Sequence, residues 1–180
     1  MGADQIIATS PVCDKTMKLG QSAFVFCAAM LAAPLHAADS RAEIQHVVDA
    51  FQAAIIAHDG AALAGMFLPE HGAWLSLMDD DSYRQVKAKR ADLPRLQSDD
   101  FRKFCDFVSK ADKRIEEKFS NVRVEANDTV GIVYFDYVFL VDGKPTNHGD
   151  ETWQLVKVDG HWKISSMLYS VTLDAPTKKS

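Results

Sequence analysis

The stretch VGIVYFDYVFLVDGKPTNHGDETWQLVKVDGHWKISSMLYSVTL, residues 130–173, reads as an antiparallel meander. Its β-branched and aromatic runs Val130–Val141, Thr152–Val158 and Trp162–Thr172 are separated by Asp142-Gly143 and Asp159-Gly160. Asp-Gly between two such runs is a strong hairpin signal, because the tight turn needs positive φ, which Asp tolerates and Gly adopts freely. One carboxylate, Asp136, sits inside the most apolar of these runs, Tyr-Phe-Asp-Tyr-Val-Phe.

Upstream, the period changes. Ile44, Val47, Val48, Phe51 and Ile55 recur at helical spacing behind Ser40-Arg-Ala-Glu43, a capping box, and His58-Asp59-Gly60 supplies a stop. A short second helix is expected over 61–67, a strand over Ala73–Met78, a helix over Tyr83–Leu93 behind the acidic cap Asp79-Asp80-Asp81-Ser82, and a helix after Ser98-Asp99-Asp100. The apolar stripe of that last helix, Phe101, Phe104, Cys105 and Val108, puts Cys105 in the core as an inert thiol. Strands follow over about 115–126, 130–141, 150–158 and 161–173. Helices first and a meander last give an α+β domain, with the helices on one face of a strongly bent sheet.

The two-residue turns set an expected register. From Asp159-Gly160, one face gathers Glu151, Trp153, Leu155, Trp162, Ile164, Ser166 and Leu168, and this less polar face is taken as inward. From Asp142-Gly143, Ile132, Tyr134, Asp136 and Val138 join it, which makes Asp136 and Glu151 diagonal neighbours. A slip of one residue, which Pro145 and Gly149 invite, would instead bury Phe135, Tyr137 and Phe139 and turn Asp136 outward. A turn at 127–129 aligns Val122 and Val124 with the inner face. Under the first register the outer face carries Phe135, Tyr137, Phe139 and Val141, too apolar for water, so a homodimer through this face is expected.

The chain has 180 residues, 47% hydrophobic and 25% charged, which suits one globular domain. Its apolar block Ser22–Ala33, behind Lys15 and Lys18 and before Leu35-His36-Ala37, reads as a signal peptide over 1–37 with Met17 as an alternative start, leaving a mature domain over 38–180 in the periplasm or secreted. The block is shorter than the ~20 apolar residues of a membrane span. Cleavage removes Cys13 and Cys27, so Cys105 has no disulfide partner. The net charge is −5, and removal of 1–37 leaves it unchanged, since Asp4 and Asp14 go with Lys15 and Lys18. This balance argues against nucleic acid and anionic membranes as partners.

The order of elements, the segment Glu151-Thr-Trp-Gln-Leu-Val-Lys-Val-Asp-Gly-His-Trp-Lys-Ile164 and the closing Ser165-Ser-Met-Leu-Tyr-Ser170 resemble the nuclear transport factor 2-like superfamily. Within it they look like the polyketide-cyclase-like and lumazine-binding-like branches. The resemblance covers about residues 40–173 and implies a cone-shaped, cystatin-like α+β fold with a pocket between sheet and helices, often dimeric through the sheet. It implies isomerases, dehydratases, cyclases or non-catalytic binders, the catalytic ones with a Tyr or His and one or two carboxylates in the cone.

Three functional readings follow. The preferred one is a non-catalytic binder of a small ligand, with Glu151, Trp153 and Ser166 as contacts, extended by Trp74 and Tyr83. The second is a cofactor-independent isomerase, dehydratase or cyclase in which burial raises the basicity of Asp136, beside Tyr134, toward neutral pH. The bland alternative makes Asp136 a structural hydrogen-bonding group. The third is a periplasmic protein-interaction module. His71, His148 and His161 are too dispersed for a zinc site, which needs about four converging ligands, and no phosphate loop, nucleophile elbow or paired Cys motif is present, so no metal or cofactor is expected.

Overall fold

The computed structural model describes residues 33–70 and 72–174, with side chains from Asp39 onward. Most of the expected signal peptide, residues 1–32, lies outside the described residues, as does His71. Helix α1 runs Ala33–Ile56 and buries Ile44, Val48, Phe51 and Ile55, the stripe that the 3.6-residue period predicts. It does not start at Ser40. Ser40 is buried within it, and Glu43 does not close a capping box but accepts a hydrogen bond from Trp162 Nε1 at 2.7 Å and pairs with Lys157.

The left-handed residue after α1 is His58, at φ 57°. Gly60 instead opens α2 (Gly60–Gly65), capped by Asp59, whose carboxylate accepts from Ala62 N at 2.8 Å. Glycine is needed here for closeness: a Cβ would lie 2.2 Å from the Cys105 carbonyl oxygen. β1 (Ala73–Met78) follows, then α3 (Asp80–Lys87), which is capped by Asp79 and stops six residues short of the expected Leu93. β2 (Leu96–Asp99) was not expected, because four residues reading Leu-Gln-Ser-Asp carry no strand pattern. α4 (Phe101–Lys110), capped by Asp100, buries Cys105 and Val108. Burial pushes the Cys105 thiol up to about 11, so it is inert at neutral pH.

Four long strands complete one open sheet: β3 (Ile115–Ala126), β4 (Val130–Val141), β5 (Lys144–Val158) and β6 (His161–Leu173). The strand order is β2-β1-β6-β5-β4-β3, with β1 parallel to β6 and every other neighbour antiparallel. Both Asp-Gly turns form as expected, with Asp142, Gly143, Asp159 and Gly160 all at positive φ.

Three bulges then reset which side chains face inward. In β3 the pairing shifts between Ser120 and Arg123 around Asn121, at φ 53°, so the inward set passes from Ile115, Glu117 and Phe119 to Val122, Val124 and Ala126. In the β4–β5 hairpin, Leu140 faces Pro145 but Phe139 faces Asn147, leaving Thr146 as the extra residue. That is the one-residue slip. Val133, Phe135, Tyr137 and Phe139 are buried, so they do not form the outer face, and Ile132, Tyr134, Asp136 and Val138 lie on it instead. In β5–β6, Leu155 faces Ile164 but Gln154 faces Ser166, and beyond the extra Ser165 the inward residues are Met167 and Tyr169 rather than Ser166 and Leu168.

Candidate functional site: an acidic cleft between sheet and helices

The inward aromatic residues do not fill all the space under the helices. A cleft of about 270 Å³ remains between Phe51 of α1, Phe104 and Phe107 of α4, and the concave sheet. β1 supplies Trp74, β4 Tyr137 and Phe139, β5 Asn147, and β6 Met167 and Tyr169. Two carboxyls line it: Glu117 from β3 and Glu151 from β5.

Both positions follow from strand alternation. Glu117 stands between the inward Ile115 and Phe119, and Glu151 stands two before the fully buried Trp153. Glu117 is 7% and Glu151 5% exposed. Glu151 accepts a hydrogen bond from Trp153 Nε1 at 2.5 Å, and the Glu117 backbone carbonyl accepts one from Gln52 Nε2 at 2.9 Å. Burial pushes Glu151 up to about 8, partly offset by the Trp153 bond. Burial, with the neighbouring charge of Glu151, pushes Glu117 well above the carboxylate range. The pair therefore retains at least one proton at neutral pH and can both donate and accept.

The walls are held by polar ends that are already satisfied. Tyr137 OH donates to the Ser170 carbonyl at 2.9 Å, and Trp74 Nε1 donates to Tyr169 OH at 3.1 Å. Both phenols are raised by burial, Tyr137 further by the two glutamates and Tyr169 against the opposing Trp74 bond. Gly149, opposite Tyr137, lets β5 and β6 approach, since a Cβ there would sit 2.2 Å from the Ser170 carbonyl oxygen.

Of the residues expected to contact a ligand, Glu151 and Trp74 line the cleft. Trp153 lies beneath it as core, its ring 4.8 Å from Phe51 and 5.0 Å from Phe135, and acts on the cleft only through Glu151. Asp136 and Tyr134 are not in the cone, because the Thr146 bulge puts them outside. There Asp136 accepts from Asn121 Nδ2 at 2.5 Å and Tyr134 OH donates to Asp150 at 2.9 Å. Ser166 is turned out by the Ser165 bulge and bonds Gln154 Oε1, and Tyr83 on α3 bonds the Leu93 carbonyl. The sequence reading missed Glu117, although an acid in phase between Ile115 and Phe119 was a usable signal.

No family model and no curated protein matches this chain. Solved structures do. An NTF2-like protein of unknown function from Pseudomonas putida superposes with a TM-score of 0.58 at 9% identity, covering 81% of this chain and 95% of that one. A candidate scytalone dehydratase from Novosphingobium aromaticivorans gives 0.56 at 13% identity, covering 79% and 96%. A protein of unknown function with a cystatin-like fold from Nostoc punctiforme gives 0.53 at 14% identity, covering 77% and 96%. Helices laid against a curved, open six-stranded sheet, and these neighbours, agree: the chain has the nuclear transport factor 2-like fold.

Proposed function

We propose that this protein binds a small, flat organic molecule in the cleft and that Glu117 and Glu151 are its polar contacts. The observation that carries this reading is the pair of buried carboxyls, Glu117 and Glu151, that line a space walled by aromatic rings. Carboxyls held in so apolar a setting are strong hydrogen-bonding groups, and an occupant that bonds them gains more than it would in water. The volume lies below the ~300–1,000 Å³ of drug-sized pockets, so the occupant is fragment-sized. Thermal-shift screening against heteroaromatic and polyketide-like compounds tests this. Compounds that bind should raise the melting temperature, and Glu117→Gln should diminish the rise; a screen with no shift in either protein rejects the reading.

A second reading has a specific support. A carboxyl titrating near 8 beside another carboxyl is suited to acid–base chemistry on a bound substrate, and two of the structural neighbours are candidate dehydratases. Under it, Glu151→Gln abolishes turnover of a compound that still binds.

The proposal includes export to the periplasm or medium and assembly as a homodimer. The apolar block at 22–33 behind Lys15 and Lys18 supports export. The mature protein recovered from the producing cell should begin near Ala38 by intact mass, and a full-length mass would refute this. For the dimer, the support is an outer sheet face on which Ile132 is 49% and Leu168 50% exposed, beside Val130. Ile132→Asp with Leu168→Asp should yield a monomer by light scattering, and an unchanged dimer would rule out this face.

A further inference from the structure

We infer that the occupant of the cleft is an organic cation, a flat ring system carrying a fixed or protonated nitrogen, held by the Glu117 and Glu151 carboxyls against the aromatic walls. This rests on the cleft being a binding site. The charge inventory of its lining is one-sided: two carboxyls and no Lys, Arg or His. An anion would find no basic side chain in this lining and would meet like charge once either carboxyl ionised, and a neutral ring would engage the carboxyls only as hydrogen-bonding groups. A cation answers both carboxyls at once.

The walls favour the same occupant. Trp74, Phe104, Phe107, Phe139 and Tyr169 present ring faces or edges around the acids, and ring faces attract cations most strongly where water is excluded. None of these five rings is over an internal Lys or Arg; the arginine and lysine ring contacts of the described residues are on Tyr83, Phe101, Tyr134 and Trp162. The aromatic faces of the cleft are therefore not already taken by the protein's own cations.

Charge balance gives this inference a distinct signature. The empty cleft holds protons on its carboxyl pair, so a fixed cation binds by exchange: the cation enters, one O–H bond of the pair breaks, and one proton leaves to the buffer. Affinity for the cation should then rise with pH, about tenfold per pH unit while the leaving proton is still bound in the free protein. A neutral ring of the same shape displaces no proton and shows no such slope.

The probes are N-methylquinolinium, a fixed cation, and quinoline, uncharged over the range of about pH 6 to about pH 8 used here. Binding is followed by titration calorimetry in phosphate and in Tris, whose different ionisation heats report the proton released. N-methylquinolinium should bind more tightly than quinoline, release close to one proton, and tighten by about tenfold per pH unit. Glu117→Gln with Glu151→Gln should lose the preference and the slope while quinoline still binds. Glu117→Gln alone serves the same purpose if the double variant does not fold, with a reduced preference expected. Equal binding of the two probes, or tighter binding of quinoline, would overturn the cation inference and leave the cleft as a site for neutral rings. Binding of neither probe would overturn both readings.

Discussion

Between about pH 5 and about pH 8 the unfolding free energy should fall by several kcal/mol, at up to about 1.4 kcal/mol per pH unit for each buried carboxyl. The sign follows from proton counts. Glu117 and Glu151 both have folded pKa values raised above the usual 4.5, Glu151 to about 8. Their stabilisation is whole below the unfolded pKa and is lost as pH rises toward the folded ones, because there the native state holds protons that the unfolded chain has released. Carboxylates shifted the other way do not mask this slope. Asp79, lowered to about 2 chiefly by the Ser82 backbone N–H, and Glu43, lowered by Lys157 and Trp162, lose their contribution only on the acid side of the window. Urea unfolding at a series of pH values checks this. Glu117→Gln with Glu151→Gln should flatten the profile and be more stable than the wild type at the alkaline end. A wild-type profile that is flat would mean that water entering the cleft solvates the carboxyls.

Trp153→Ala should cost about 3–5 kcal/mol, among the largest effects of any single truncation here. Trp153 is fully buried and its ring meets Phe51, Phe119 and Phe135, so helix α1 and strands β3 and β4 lose a shared contact together. The same substitution removes the Trp153 Nε1 donor on Glu151, whose pKa should rise further, since that bond now lowers it. Trp153→Phe separates the two effects: most of the packing stays, the N–H goes, and the alkaline loss of stability should steepen. Chemical denaturation gives the first quantity and the pH dependence of unfolding gives the second. A loss below about 1 kcal/mol for the alanine variant would contradict the packing described here.

The bounds of β3, β4 and β6 were legible, and both turns formed because Asp142-Gly143 and Asp159-Gly160 admit little besides tight hairpins, but β5 begins at Lys144, six residues before the expected 150, since Pro145 and Gly149 hid its first half. Facing was legible only as far as the first bulge from each turn. Glu151, Trp153 and Leu155 share an uninterrupted length of β5, and their inward phase followed from the pattern of that strand itself. Transfer of that phase across Thr146 misplaced Tyr134 and Asp136, and transfer across Ser165 misplaced Ser166 and Leu168. Thr and Ser at bulges carry no local signature comparable to Gly in a turn, so a phase error of one residue is invisible until pairing is known. The site suffered from the same cause: the acid in the cone is Glu117, reached through β3, rather than Asp136. Short β2 was illegible for a different reason, since its four residues are ordered by their neighbour β1 and not by any alternation of their own.

The parallel pairing of β1 with β6 ties the first strand of the sheet to the last one made. Trp74 on β1 can take its place in the cleft wall only when Met167 and Tyr169, nearly a hundred residues later, have emerged and paired. Loops that long close slowly relative to helix and hairpin formation. The cleft is consequently complete only in a chain that includes β6, and one truncated before it should lack Met167 and Tyr169 from the wall. An occupant of it would act as a quality signal, stabilising finished chains while ignoring truncated ones that lack β6.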